Sequence, residues 1–367
     1  MKKCLIAVLC IAVVLLVCSV AYAKTDGGEY EGIIWNFENG TLTLEGKGIV
    51  PESAPWNGYY KQVKVLTIGE GIEGLQYWDV FAHIPKLQKL IIARDDFQES
   101  FNGSELIKEV EYTGNDPAFY GLLFNMSRLN KITFVNAGDK YVQEGNFLFN
   151  SDKSELLYYL GPKKEKVTVP EGVKVIKSAA FAHSNITAIE LPSTLEEIEY
   201  EAFSCCRSLK KVEIPASCKI IGSAVLGGCT SLAEVKFNQE KIEFRGYYYI
   251  RGEKIDSGGY TFCYCTTLKE IELPSCEEVP SGLFSGCSNL KKVVFGENTK
   301  KLNTEYTFRE CKNLQTVYVP DDMTFDDDFF DKNGSNRPKK AVILCHAESN
   351  AEKLAIKYNL PYKLIDE

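Results

Sequence analysis

Phe203-Ser204-Cys205-Cys206-Arg207-Ser208-Leu209-Lys210-Lys211-Val212-Glu213-Ile214-Pro215 places Phe203, Cys206, Leu209, Val212 and Ile214 at offsets 0, 3, 6, 9 and 11, with Pro215 at 12. The frame returns at Phe262, Cys265, Leu268, Ile271, Leu273 and Pro274. It returns again at Phe284, Cys287, Leu290, Val293 and Phe295, and at Phe308, Cys311, Leu314, Val317, Val319 and Pro320. One copy starts on Leu226, with Cys229, Leu232, Val235 and Phe237 in frame. Toward the amino terminus the copies weaken. Phe81 leads to Leu87, Leu90 and Ile92; Phe101 to Ile107, Val110 and Tyr112; Leu123 to Leu129, Ile132 and Phe134. Tyr158 leads to Val167 and Val169, and Phe181 to Ile186, Ile189 and Leu191 with one residue deleted. The ten anchors are spaced 20, 22, 35, 23, 22, 23, 36, 22 and 24 residues apart, a period that marks a repeat array.

Val212 and Ile214 differ by two and so share one face of a short strand. One strand cannot bury its apolar face alone, but stacked turns form a parallel sheet over a continuous core. A second apolar pair, Val173 and Ile176 or Leu195 and Ile198, marks the return path across each turn. The fold expected is therefore α/β-poor, a mainly β solenoid, a right-handed coil of about ten turns. Phe181, Phe203, Phe262, Phe284 and Phe308 are expected to stack inside it as one structural ladder, and Cys206, Cys229, Cys265, Cys287 and Cys311 as another. A small, soft residue recurring at one interior position behaves as a core hydrophobe.

The ends read differently. Lys2-Lys3, an apolar run from Cys4 to Ala21 and the site Ala21-Tyr22-Ala23 make residues 1–23 a signal peptide rather than an anchor. No later segment is apolar enough to cross a bilayer, so no membrane span is expected once the signal is removed. Losing Lys2 and Lys3 takes the net charge from −8 to about −10, which argues against a nucleic-acid surface. Residues 24–72 read as an N-terminal β cap, with Asn39-Gly40 as the turn of a hairpin. The solenoid covers 73–320, with insertions near 136–166 and 245–261. An acidic loop, 321–340, precedes a C-terminal strand-helix cap, 341–367, with a strand at 341–344 and a helix over 350–359.

The segment from Tyr200 to Leu209 followed by Val212-Glu213-Ile214-Pro215 resembles the BspA-type leucine-rich repeats (Treponema-type leucine-rich repeats) of Bacteroidales and spirochaete surface proteins. The opening Trp35-Asn36-Phe37-Glu38-Asn39-Gly40-Thr41-Leu42-Thr43-Leu44 with Pro55-Trp56, the segment Gly145 to Pro170, and the closing Lys357 to Tyr362 share the likeness. The first five copies depart from it in lacking the cysteine. The resemblance implies a secreted or cell-surface protein that binds proteins or glycans on host or bacterial surfaces, as adhesins of that family do. The alternative is a structural or assembly scaffold of the cell envelope without an external ligand.

Catalysis is not expected. His83, His183 and His346 are the only histidines, and His83 and His183 fall four turns apart, on the order of 19 Å. No Ser or Cys then has an activating base. Cys205-Cys206 and Cys263-x-Cys265 lack paired zinc spacing, and the aspartates of 321–331 fail the calcium-loop test, so neither metal nor cofactor is expected. Concave-face charges should pair across strands, as Lys211 with Glu234 and Glu213 with Lys236. The candidate ligand-binding residues are Arg245, Tyr247, Tyr248, Tyr249, Arg251 and Tyr260 of the second insertion, because exposed Tyr and Arg on a rigid scaffold are enriched at hot spots.

Overall fold

The computed structural model describes residues 26–73, 83–93, 106–114, 126, 128–136, 138–161, 166–250, 253–256, 258–303, 305–325, 341–357 and 359–365. The signal segment 1–23, the anchors Phe81, Phe101 and Leu123, the candidate Arg251 and the acidic stretch 326–340 lie outside them.

Asn39 and Gly40 take φ of 50° and 83°, closing the antiparallel hairpin of Ile33–Glu38 and Thr41–Ile49. The strand Thr41–Ile49 then starts the coil. Leu42, Leu66, Leu90, Val110 and Ile132 follow one another in parallel register, each buried. The strand Val65–Ile68 thus forms a turn ahead of the first anchor, and the solenoid has about eleven turns rather than ten. Its front pair Leu66/Ile68 is in the sequence, but no anchor precedes it. Trp56, fully buried, packs against Trp35 and Tyr30 over the open end. At the other end Val342–Cys345 is the last strand foreseen, and the helix is Asn350–Lys357, with Asn359 at φ 50°. An additional strand, Tyr362–Leu364, pairs with Val342–Cys345.

From the Phe181 turn onward each turn has three sides: a front strand such as Lys211–Ile214, a two-residue second strand such as Ile220–Ile221, and an arc of tight turns around the anchor. Two residues either side of the anchor the chain is left-handed, at Ala179, Glu201, Ala224, Tyr260, Gly282 and Tyr306 before it and at His183, Cys205, Gly228, Tyr264, Gly286 and Glu310 after it. This alternation settles the amide accounting of the arc. Glu201, Phe203 and Cys205 donate to Ser223, Val225 and Gly227 of the next turn, while Ala202, Ser204 and Cys206 donate back to Glu199, Glu201 and Phe203. A left-handed residue with a side chain costs roughly 1–2 kcal/mol, offset here by peptide groups that would otherwise be buried unpaired.

The ladder thiols do more than fill space. Cys206, Cys229, Cys265, Cys287 and Cys311 each aim Sγ at the anchor carbonyl of the preceding turn, that of Phe181, Phe203, Leu226, Phe262 and Phe284, at 3.0 to 3.3 Å. That carbonyl already accepts an amide from its own turn, so the thiol serves the second lone pair. Ser184 holds the same position in the Phe181 turn, its hydroxyl 3.3 Å from Cys206 Sγ, so the column read in the sequence as a core hydrophobe is hydrogen-bonded as well. Burial pushes the Cys311 thiol up to about 12, in keeping with a structural, unreactive group. Cys265→Ala is expected to cost about 1–2 kcal/mol in urea unfolding, and Cys265→Ser, which keeps a donor, less.

The first insertion does not leave the coil. Tyr141–Glu144, Phe147–Asn150 and Glu155–Tyr159 form an antiparallel unit that starts the second sheet. The hairpin of the last two strands is a septum. Phe149, Leu156 and Tyr159 pack into one hydrophobic core, running on to the C-terminal cap, while Leu148, Leu157, Tyr158 and Leu160 pack into a separate one toward the amino terminus. The anchor read at Tyr158 is therefore Tyr159, whose ring stacks on Phe181 at 5.1 Å and whose amide donates to Ala180. Tyr158 faces the other core, where its hydroxyl meets the Met126 carbonyl at 3.4 Å.

Candidate functional site

The second insertion enters where two of the three ladders break. Glu234–Phe237 ends one block of the front sheet and Glu270–Glu272 begins another; Glu243–Phe244 and Glu278–Val279 do the same in the second sheet. Across this seam the arc bonds continue, Ala224, Leu226 and Gly228 donating to Gly259, Thr261 and Cys263. Ile242 to Ser275 and Ser275 to Glu240 add two contacts beside a single bridge of Lys241 and Ser275. A cavity of about 840 Å³ opens next to it, lined in part by Ala216, Lys219, Gln239, Lys241, Phe244 and Glu278.

From the seam the chain runs out as an arm, the antiparallel strands Tyr247–Ile250 and Glu253–Asp256, which join neither coil sheet. Tyr248 and Tyr249 lie in its first strand, and Tyr247 at its base is half-buried. Arg245 is paired within the protein: its Nη1 is 2.5 Å from Glu197 and its Nε 2.9 Å from Glu243. Burial opposes charge at both ends of the inner pair. It raises the Glu197 carboxyl despite Arg245, whereas at Arg245 burial is outweighed by the two carboxylates and the pKa moves up. Arg245 therefore pins the arm's root to the coil, across 48 residues of sequence that gave no local hint of it. Tyr260 sits in the arc, its ring lying over Gly258 and Gly282.

Phe181, Phe203, Phe262 and Phe284 are buried, with the five ladder thiols, and Phe308 is partly buried against them. The ten cysteines described are free thiols. The front sheet carries the foreseen pairs, Lys211 to Glu234 at 2.6 Å and Lys236 to Glu213 at 2.8 Å. His346 Nδ1 is 2.9 Å from Asp321, but no nucleophile hydrogen-bonds to that ring among the described residues. Nor, among them, do three His, Cys, Asp or Glu side chains gather closely enough to hold a metal ion. No described helix is long and apolar enough to cross a membrane.

Comparison with known proteins gives a concordant picture. The model of the BspA type leucine rich repeat region matches residues 153–258 and 253–337 in six copies. A crystal structure of a leucine-rich repeat protein from Eubacterium ventriosum is 20% identical, with 83% of this chain and 94% of that one covered and a TM-score of 0.54. That is a likeness of fold. The Treponema pallidum leucine-rich repeat protein is 22% identical over 63% of this chain and 97% of its own, with a TM-score of 0.42. A leucine rich cell surface protein of Faecalibacterium prausnitzii is 15% identical over 92% and 98%, at 0.33. No curated protein matches the chain.

Proposed function

For a chain that belongs to the BspA-type leucine-rich-repeat family, we propose a role as a secreted or cell-surface binding protein, with adhesin-like recognition of proteins or glycans on host or bacterial surfaces and no catalysis. Export would use residues 1–23, whose basic start, apolar run and Ala-x-Ala site fit a cleaved signal. The observation that carries the reading is the arm: a hairpin paired with neither sheet, rooted by Arg245 on a rigid coil and bearing adjacent tyrosines. Loops and arms held by a rigid scaffold are where recognition concentrates, and Tyr is enriched at hot spots.

The front sheet is a weaker candidate. Its charges are satisfied by one another, and exposed pairs contribute little and are screened by salt. The test is a trim that replaces 248–255 by a short Gly-Ser turn, sparing Gly258 and Gly259, which serve the arc ladder. Surface-immobilised fibronectin and mucin are the probes. The trimmed protein is expected to bind at least about tenfold more weakly, and a Lys211→Ala, Lys236→Ala double variant to bind normally. Normal binding by the trim, with loss in the double variant, would move the site to the front sheet. If wild-type protein binds neither probe while depletion perturbs the envelope, the scaffold reading is favoured.

A further inference from the structure

The arc carries a second surface that owes nothing to the arm. Its left-handed positions are filled by alanine, glycine, cysteine, histidine or glutamate in most turns, but by tyrosine at 260, 264 and 306. A bulky aromatic is an unfavourable choice for that backbone conformation, and such residues persist where something else over-determines them. Here three gather within three consecutive turns. Packing alone does not explain them, because Tyr264 is 60% exposed, more than any other large aromatic whose burial is described.

What lies beneath the rings sets how they present themselves. At Gly286, φ is +78°, and a Cβ there would stand 2.5 Å from Cδ1 of Tyr264. At Gly282, φ is +70°, and a Cβ would stand 2.4 Å from Cε1 of Tyr260. The rings of Tyr264 and Tyr260 therefore pack against bare glycine backbone of the next turn, and Tyr264 is still exposed. Tyr306 follows one turn further on, with the Arg309 guanidinium 5.6 Å from its ring centre. Tyr260 and Tyr306 stand two turns apart, on the order of 10 Å. None of the three hydroxyls hydrogen-bonds to a described residue, and Glu305 and Arg309 are exposed beside them.

We propose that Tyr260, Tyr264 and Tyr306 form a platform for a neutral oligosaccharide. Ring faces are the negative part of the aromatic quadrupole and attract the polarised C–H face of a sugar laid flat on them. Free phenol hydroxyls, a carboxylate and a guanidinium supply the donors and acceptors that ring hydroxyls need. A cationic ligand is disfavoured because Arg309 already occupies that position at Tyr306. A protein anchor is disfavoured because Tyr260 and Tyr264 fill the space over the glycine backbone and leave no pocket there for a buried side chain. The span of the three rings suits a short oligosaccharide rather than one sugar.

The test uses the full mature chain and four neutral hexasaccharides, cellohexaose, chitohexaose, laminarihexaose and mannohexaose, read by saturation-transfer NMR and calorimetry. Wild-type protein is expected to bind at least one, and Tyr264→Ala with Tyr306→Ala to bind it about tenfold more weakly. Alanine occupies the position equivalent to 306 at 179 and 224, and the small cysteine and glycine occupy the position equivalent to 264 at 205, 228 and 286, so the coil should keep its melting temperature. Tyr264→Phe, which retains the ring face, should keep most of the affinity. Binding to none of the four, or binding that the double variant leaves unchanged, overturns the platform. If fibronectin or mucin is bound through the arm while no hexasaccharide is bound, the platform fails and the proposed function stands. Loss of oligosaccharide binding on trimming the arm, with the tyrosine variants neutral, also overturns it.

Discussion

Phe284→Ala is expected to destabilise the coil by about 3–5 kcal/mol, the range for a fully buried aromatic truncated to a methyl group. Phe284 has no solvent exposure and stacks on both sides, at 5.7 Å from Phe262 and 5.9 Å from Phe308. Such ring pairs add about 0.5–1.5 kcal/mol each beyond burial. The void cannot collapse easily, because the arc amides on either side fix the spacing of the turns. Phe203 is as buried but stacks on one side only, on Phe181, since the next anchor is Leu226. Phe203→Ala should sit at the lower end of the range. Urea denaturation of both variants reads the difference, and a loss below 1 kcal/mol at Phe284 would show that the stack carries little of the core.

The second large effect concerns the septum. Leu156 and Leu157 are sequence neighbours, almost wholly buried, in different cores. Truncating either to alanine should cost about 2–5 kcal/mol, but in different halves of the molecule. Leu157→Ala should raise hydrogen exchange in the strands 65–134 and leave the turns around Phe262 and Phe284 protected. Leu156→Ala should do the reverse, because protection follows the cooperative unit to which a residue belongs. Equal loss in both halves for both variants would mean that the two cores unfold as one.

The repeat was legible because stacked turns force the same residue types onto the same columns, and the strand pair Val212/Ile214 and the thiol ladder follow directly. The charge pairs Lys211–Glu234 and Glu213–Lys236 were legible too, since a parallel register follows once the period is known. The deleted residue in the Phe181 copy coincides with a gap: Ala188–Glu190 pairs with Lys166–Thr168 but not with Lys211–Ile214. Other features were hidden for identifiable reasons. Tyr158 and Tyr159 are chemically alike, and only the two-sided burial of the septum decides which is the anchor. The pairing of Arg245 with Glu197 depends on distance in space, not in sequence. The tyrosine platform required backbone angles, because nothing in Tyr-x-x-x-Tyr announces left-handed residues lying on glycines one turn away.

A coil hung from one end transmits tension along its axis through the bonds between successive turns, and its strength is that of its poorest joint. Most joints from the Phe181 turn onward share the load among arc bonds and at least one sheet. At the junction of the Leu226 and Phe262 turns both sheets are absent, leaving three arc amide bonds, the contacts at Ser275 and scattered side-chain bonds such as Cys265 to the Leu226 carbonyl and Lys241 to Glu277. That joint is a mechanical fuse. Under pulling, the turns on either side should part there first and swing about the arc as about a spine, widening the gap beside the arm while each half keeps its packing.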